Sequence, residues 1–512
     1  MSDPEQQVAD ARDLAERGRV TEALAAYDAV VARHGADPDP DVADAVAAAL
    51  TEKARLLDAD DRDEEALKAI AAVLEHDARR VPEPEEADAE VVAWRADDRH
   101  LRVLHVHAMR GWILDALDRH EEALAAYDAA LALDAGPEED EDAVVLLGIA
   151  WRGRSYCLIA IGRWDDAIAA ADGGLARLAE TGAAHGDDYR VAGLMHDKAW
   201  ALRALGRRGE ELDALMEIEA RFGAASAEPG TDPDLCREVL NALEMRAGTL
   251  IDLARDEEAI AVCDAIVMRF ADAPDAGTRA EVAEACRRRA HALYVLARSD
   301  EAITAYRDTL LRFGADEDPA VRPAVVTAIG SLAGLLLERG DKDEGLVMLD
   351  AYVNAGGDAA WALTSKGTQL HQLGRCDEAV AVYDELLALL DGDDVHVRAR
   401  RLVTLMNRAA ALAAAERSDE AEAMEDQIVA LAGDDTAELF GILAAELGER
   451  DDPRARTERA GMAVTEAMVH GARGREDEAR ALLEELVARA GDDEHPDVRR
   501  IVEIAREELG EP

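Results

Sequence analysis

Aromatic residues make up only 4% of this 512-residue sequence, which excludes a core built on large rings. Small, alanine-rich contacts are left to carry the packing, as they do in helix-on-helix layers. Lysine occurs only at 53, 68, 198, 342 and 366, so nearly all the positive charge is arginine. With 111 acidic against 57 basic residues the formal charge is -54, and nucleic-acid phosphates would be repelled before any groove were reached. A basic partner stays open, beside the plainer reading that Asp and Glu cover solvated helix faces. The five cysteines, at 157, 236, 263, 286 and 376, form no CxxC, a pattern expected of reduced thiols in the cytoplasm. No run of 18 apolar residues occurs, and MSDPEQQVADARDL has no basic patch leading into an apolar core, so neither a membrane span nor export is expected.

Chemistry is also missing. No phosphate-cradling G-x-x-x-x-G-K-[ST], nucleophile elbow G-x-S-x-G or zinc-binding H-E-x-x-H occurs. His100, His105 and His107 are spaced by five and two, which does not set two ligands on one helical face. The stretch DADDRDEE at 58–65 lacks the central glycine and spaced final Glu of a calcium loop. The expectation is a protein that is not an enzyme and needs no cofactor or metal.

What is present is a repeat. Residues 361–387, WALTSKGTQLHQLGRCDEAVAVYDELL, contain two amphipathic helical patterns joined at Leu373-Gly374-Arg375. Ala379 and Tyr383 fall on one face, and Gly367, twelve residues before Ala379, would let the two helices approach closely. Using the Ala of each E-A or D-A pair as anchor gives Ala23, Ala66, Ala123, Ala167, a degraded Glu211-Leu212, Ala259, Ala302, Gly345, Ala379, Ala421 and Ala479. Twelve residues before each stands a small residue: Ala11, Ala54, Gly111, Ser155, Ala247, Ala290, Ala333, Gly367, Ala409 and Ala467, with Ala199 joining if Glu211 is the fifth anchor. Four after the anchor, Tyr27, Tyr127, Tyr306 and Tyr383 read as packing residues. Gly35, Gly223 and Gly314 are placed to close second helices in the left-handed conformation, and Asp39-Pro40, Asp232-Pro233 and Asp318-Pro319 to open the next.

This pattern resembles the tetratricopeptide repeat (TPR) family in a long-period, bacterial form, since most anchors lie 42–47 residues apart and one gap is 34. The resemblance covers most of the chain and implies an all-α, right-handed α-solenoid of about eleven helical hairpins. The array spans 1–496, with an acidic loop at about 77–90 containing Pro82-Glu83-Pro84-Glu85-Glu86 and an additional helix at 436–448 stopped by Asp451-Asp452-Pro453. Residues 497–512 read as a C-terminal capping helix and tail.

In that family the first helix of each hairpin lines a concave face where partner peptides commonly lie. The matching stripe, 18, 15, 11 and 8 residues before each anchor, holds five of the 18 aromatic residues: Trp112, Tyr156, Trp200, Tyr294 and Trp361. With Arg152, His196, Arg287 and His291 beside them, Trp112, Tyr156, Trp200 and Tyr294 are the candidate partner-binding residues. Arg152, Arg287 and the adjacent Arg288 and Arg289 offer an anion site, or else pair with nearby Glu281 and Glu284. The aromatics, alternatively, pack against neighbouring helices. The function these residues support is a protein-protein interaction scaffold or adaptor. The alternatives are a sensor for a small peptide or metabolite and a self-associating array, a homo-oligomer.

Overall fold

The computed structural model describes residues 3–79, 89–134, 141–180, 188–228, 230–448 and 453–510. Among the described residues the chain forms 24 α-helices, two single-turn 3-10 helices and no strand. It divides into two compact units, Met1–Asp272 and Ala273–Pro512.

The first unit holds six hairpins: α1 (Pro4–Glu16) with α2 (Val20–His34), α3 (Pro40–Asp58) with α4 (Asp63–Ala78), α5 (Ala89–Ala116) with α6 (His120–Leu131), α7 (Glu141–Ala160) with α8 (Trp164–Glu180), α9 (Asp188–Ala204) with α10 (Arg208–Phe222), and α11 (Pro233–Asp252) with α12 (Asp256–Phe270). The second holds five: α13 (Ala276–Val295) with α14 (Ser299–Phe313), α15 (Arg322–Arg339) with α16 (Lys342–Asn354), α17 (Ala359–Gln372) with α18 (Cys376–Leu389), α19 (Val395–Ala414) with α20 (Ser418–Ala432), and α22 (Pro453–Ala472) with α23 (Glu476–Ala490). A single helix, α21 (Thr436–Leu447), precedes the last hairpin, and α24 (Pro496–Leu509) closes the unit, burying Val498, Val502 and Ala505 under a polar outer face. Each second helix packs on the next first helix within its unit, as α2 does on α3 and α14 on α15. Both units are TPR-like stacks of helical hairpins, eleven in all.

The turn inside every hairpin has one solution. Five residues before each anchor the backbone turns left-handed, at Gly18, Asp61, Asp118, Gly162, Gly206, Ala254, Ala297, Gly340, Gly374, Glu416 and Gly474. Glycine holds six of these eleven positions because it alone adopts that conformation without a Cβ clash. At Ala254 (φ 53°) and Ala297 (φ 57°) an L side chain bears the strain. Ala254→Gly and Ala297→Gly should each raise stability by roughly 0.5–1 kcal/mol, seen as a higher midpoint of urea unfolding. A lower midpoint would show that these turns store no strain.

The next residue is arginine in ten of the eleven turns, and each reaches an acid three residues on: Arg19 to Glu22, Arg62 to Glu65, Arg119 to Glu122, Arg163 to Asp166, Arg207 to Glu210, Arg255 to Glu258, Arg298 to Glu301, Arg375 to Glu378, Arg417 to Glu420 and Arg475 to Glu478. Several of these arginines also bridge to the preceding hairpin: Arg119 to Glu64 at 3.2 Å, Arg375 to Asp343 at 3.3 Å and Arg417 to Asp377 at 3.0 Å. Part of the acidity is thus spent on a repeated turn clamp, which sequence reading passed over although it shares the register of the E-A anchors.

The small residues sit where the repeat register puts them. Ala11, Ala54, Ser155, Ala199, Ala247, Ala290 and Ala333 are fully buried, and Cβ atoms built on Gly111 and Gly367 would lie 2.5 Å from the rings of Tyr127 and Tyr383. Tyr27, Tyr127, Tyr306 and Tyr383 are buried. The fifth anchor is Glu211, itself wholly buried, taking a hydrogen bond from the Thr249 hydroxyl and an ion pair from Arg208 at 3.1 Å. Packing loosens late in the second unit, where Ala409, Ala421 and Ala479 are only partly buried.

Four expectations change. Gly35, Gly223 and Gly314 are right-handed, with φ near -60°, so they do not close helices in the left-handed form. They serve close approach instead: a Cβ on Gly223 would lie 2.4 Å from the Glu219 carbonyl oxygen and 3.0 Å from the Arg269 guanidinium. Asp39 and Asp232 cap α3 and α11 as expected, but Asp318 accepts from Ala320 N in a turn, and α15 opens four residues later. Pro453 begins α22 rather than stopping α21, which ends at left-handed Gly448; Asp451 and Asp452 lie outside the described residues. Of the stretch expected as an acidic loop at about 77–90, Asp77 and Ala78 belong to α4 and Ala89 and Glu90 to α5, while residues 80–88, with Pro82 to Glu86, lie outside the described residues.

Among the described residues one helix, α7, contains a window, Asp142–Ala160, long and apolar enough to cross a membrane. It packs here against α5, α6, α8 and α9, where apolar residues on more than one side are needed.

Candidate functional site

First helices touch first helices in the first unit, α5 on α7, α7 on α9 and α9 on α11, so the stripe residues share a face. On it, one per helix at the same register, stand Trp112, Tyr156 and Trp200, which are 61%, 52% and 47% exposed. Those exposures decide against burial between neighbouring helices. Beside Trp112, His105, Ala108 and Ile149 line a cleft of about 400 Å³ with Arg55 and Asp58.

Next to Tyr156 and Trp200 lies a half-buried polar cluster. Arg152 on α7 pairs with Glu238 on α11, and His196 on α9 brings Nδ1 within 3.4 Å of the same carboxylate. Gly193 makes room, since a Cβ there would stand 2.5 Å from the Arg152 guanidinium carbon. Behind them Asp197 is buried, and its Oδ2 has no hydrogen-bond partner in the protein. Burial pushes its carboxyl up to about 7, with Glu238 adding to the rise and Arg152, His196 and Ser155 opposing it.

In the second unit Arg287 grips Glu284 through two nitrogens at 2.6 and 2.7 Å, and Arg288 reaches the same carboxylate at 2.9 Å. Burial of Glu284 is outweighed by these partners, and its carboxyl is held below the usual range. The open anion site is therefore corrected: Arg152, Arg287 and Arg288 have internal carboxylates, and local pairing on the helix accounts for the last two. His291 and Tyr294 are both exposed, their rings 6.4 Å apart, and the Tyr294 hydroxyl donates to Glu338 Oε2 at 3.1 Å.

The structure gathers Trp112, Arg152, Tyr156, His196 and Trp200 on one face of the first unit, and Arg287, His291 and Tyr294 on one helix of the second. Sequence reading missed Asp197 and Glu238, whose signal was the rare carboxylate on an otherwise apolar helix face. It also did not bring together Asp115, His120 and Cys157, which place a carboxylate, an imidazole and a thiol within 4.8 Å of one another from three helices. Such donors could hold a metal ion, but here they bond to one another: the Cys157 thiol donates to Asp115 Oδ1 at 3.4 Å, and His120 Nδ1 lies 2.8 Å from the same oxygen. Burial and that carboxylate push the thiol far up, which keeps it in the protonated form that binds metals poorly.

No protein-family model matches this chain, and no curated protein does. Solved structures do. The apo form of RapI is 10% identical, covering 91% of this chain and 98% of its own, with a TM-score of 0.39. A tetratricopeptide repeat protein from Parabacteroides merdae is 12% identical over 64% of this chain and 98% of its own (TM-score 0.37), and the quorum sensor NprR from B. thuringiensis is 13% identical over 73% and 99% (TM-score 0.36). At these identities the likeness is one of fold, and the TPR-like assignment stands on the eleven hairpins of this chain, with their shared turn, anchor and contact positions.

Proposed function

We propose that this chain is a non-enzymatic scaffold or adaptor of the cytoplasm that holds an extended or helical segment of a partner protein along the first helices of its first unit. The observation that carries the reading is the exposure of Trp112, Tyr156 and Trp200 at one register on three successive stacked helices. Large rings left in water on a chain this poor in aromatics offer the wide, rigid contact area on which interfaces depend. Arg152 and His196, held by Glu238, supply polar edges to the same face. Arg287, His291 and Tyr294 provide a second contact region on the second unit. The five cysteines are dispersed along the chain with no CxxC among them, which supports a reducing compartment.

The test is capture of partners by the full chain, their identification, and direct affinity measurement with Trp112→Ala and Trp200→Ala. Each substitution should weaken a true partner about thirtyfold or more, without loss of helicity, because neither ring is in the core. Equal recovery of every partner by wild type and the double variant would remove this reading.

A further inference from the structure

A cleft of about 530 Å³ opens in the second unit between α13, α15 and α17. Four of the chain's 18 aromatic residues, Tyr294, Tyr306, Tyr352 and Trp361, line it. Tyr352 and Trp361 meet edge to face with centroids 5.2 Å apart, and Tyr306 is buried at the base. Two glycines of α15 shape the space. A Cβ on Gly330 would lie 2.8 Å from the Tyr352 ring, so glycine lets that ring close in, whereas a Cβ on Gly334 would meet nothing within 4 Å, so glycine there leaves the cleft open.

The charges are one-sided. Glu338 and Asp358 belong to the lining, and no lysine or arginine does. Tyr294 occupies Glu338 Oε2, leaving Oε1 for a ligand N–H, and Asp358 Oδ1 caps α17 by accepting from Trp361 N at 3.1 Å. Arg287, one turn before His291 on α13, is not part of this lining and shares Glu284 with Arg288. His291 is the one basic side chain among the described lining residues. Ring faces are negative and attract cations, above all soft organic ones, and carboxylates at the rim add hydrogen bonds to their N–H groups. An anion would meet repulsion from the same groups.

We propose that this cleft binds the guanidinium or alkylammonium head of an arginine or lysine side chain presented by a partner peptide. The peptide carrier rests on the interaction reading above; the choice of a cation rests on the cleft alone. The experiment is titration of the full chain at pH 8 and low salt with the tripeptide acetyl-Gly-Arg-Gly-amide and with its citrulline counterpart, which is neutral and nearly the same shape, followed by calorimetry or saturation-transfer NMR. The arginine peptide should bind, the citrulline peptide about tenfold more weakly, and Glu338→Gln and Trp361→Ala should each weaken the arginine peptide by about the same factor. Gly334→Leu should fill the cleft and abolish binding; Glu338 is exposed, so Glu338→Gln tests the idea even if the leucine variant misfolds. Trp112→Ala/Trp200→Ala should leave this titration unchanged, which separates it from partner capture by the first unit. No binding of the arginine peptide, equal binding of the two peptides, or arginine binding that ignores Glu338→Gln would overturn the proposal.

Discussion

Gly153→Ala, one added methyl group, should destabilise the first unit by about 1–3 kcal/mol, the usual cost of overfilling a packed core. A Cβ built on Gly153 lies 2.2 Å from Tyr127 Cζ, and one built on Gly111 lies 2.5 Å from Tyr127 Cε1. The phenol of Tyr127 is thus held between α5 and α7 by two positions without side chains, and it is only 3% exposed. It cannot swing away, because its neighbours Leu114, Ala123, Leu147, Leu158 and Ala167 are themselves buried in the same core. Tyr127→Ala should cost about 3–5 kcal/mol through the cavity left behind. The two changes should not add. With the ring gone, Gly153→Ala becomes neutral or favourable, since alanine is preferred to glycine inside a helix by roughly 1 kcal/mol. Urea unfolding, with hydrogen exchange read across α5 to α8, measures all three variants. Simple additivity would mean that Tyr127 and Gly153 do not oppose one another.

That pair also shows what the sequence could convey. Gly111 and Gly367 were legible because each lies twelve residues before an anchor, a distance that recurs in every hairpin and so stands out without coordinates. Gly153 lies fourteen before Ala167, outside any column, and its reason is a ring arriving from the neighbouring hairpin. Face membership follows from helical spacing, so the stripe could be read; whether its rings meet water depends on how far adjacent helices separate, which spacing does not determine. The second-unit cleft was half visible for the same reason. Tyr294 and Trp361 belong to the stripe, whereas Tyr352 comes from a second helix and Glu338 and Asp358 from helix ends. The left-handed turn position and its arginine were written in the same register as the anchors, and attention to the E-A pair alone concealed them. The joint glycines misled because glycine after a helix has two uses, left-handed closure and close approach, and sequence does not distinguish them.

Asp197→Asn should stabilise the protein at pH 8 by about 4 kcal/mol and leave it nearly unchanged at pH 4. The carboxyl of Asp197 sits at about 7 because burial disfavours its charge and Glu238 repels it. An unfolded aspartate titrates near 3.9. Between those values the folded chain binds the extra proton, so stability falls as pH rises through this window and levels off above it. The groups facing the carboxyl are Arg152 and Ser155 from α7, His196 from its own helix and Glu238 from α11, and the first three moderate the rise without cancelling it. Asparagine keeps the shape and removes the charge, so the difference between variant and wild type, followed by urea unfolding from pH 4 to 8, isolates this group from the many other acids that titrate in parallel. A constant difference across that range would place the Asp197 carboxyl at an ordinary value. A growing one would mean that the polar cluster behind Tyr156 and Trp200 keeps a destabilising acid next to the face proposed for partner binding, where a partner's cationic group could favour its charged form.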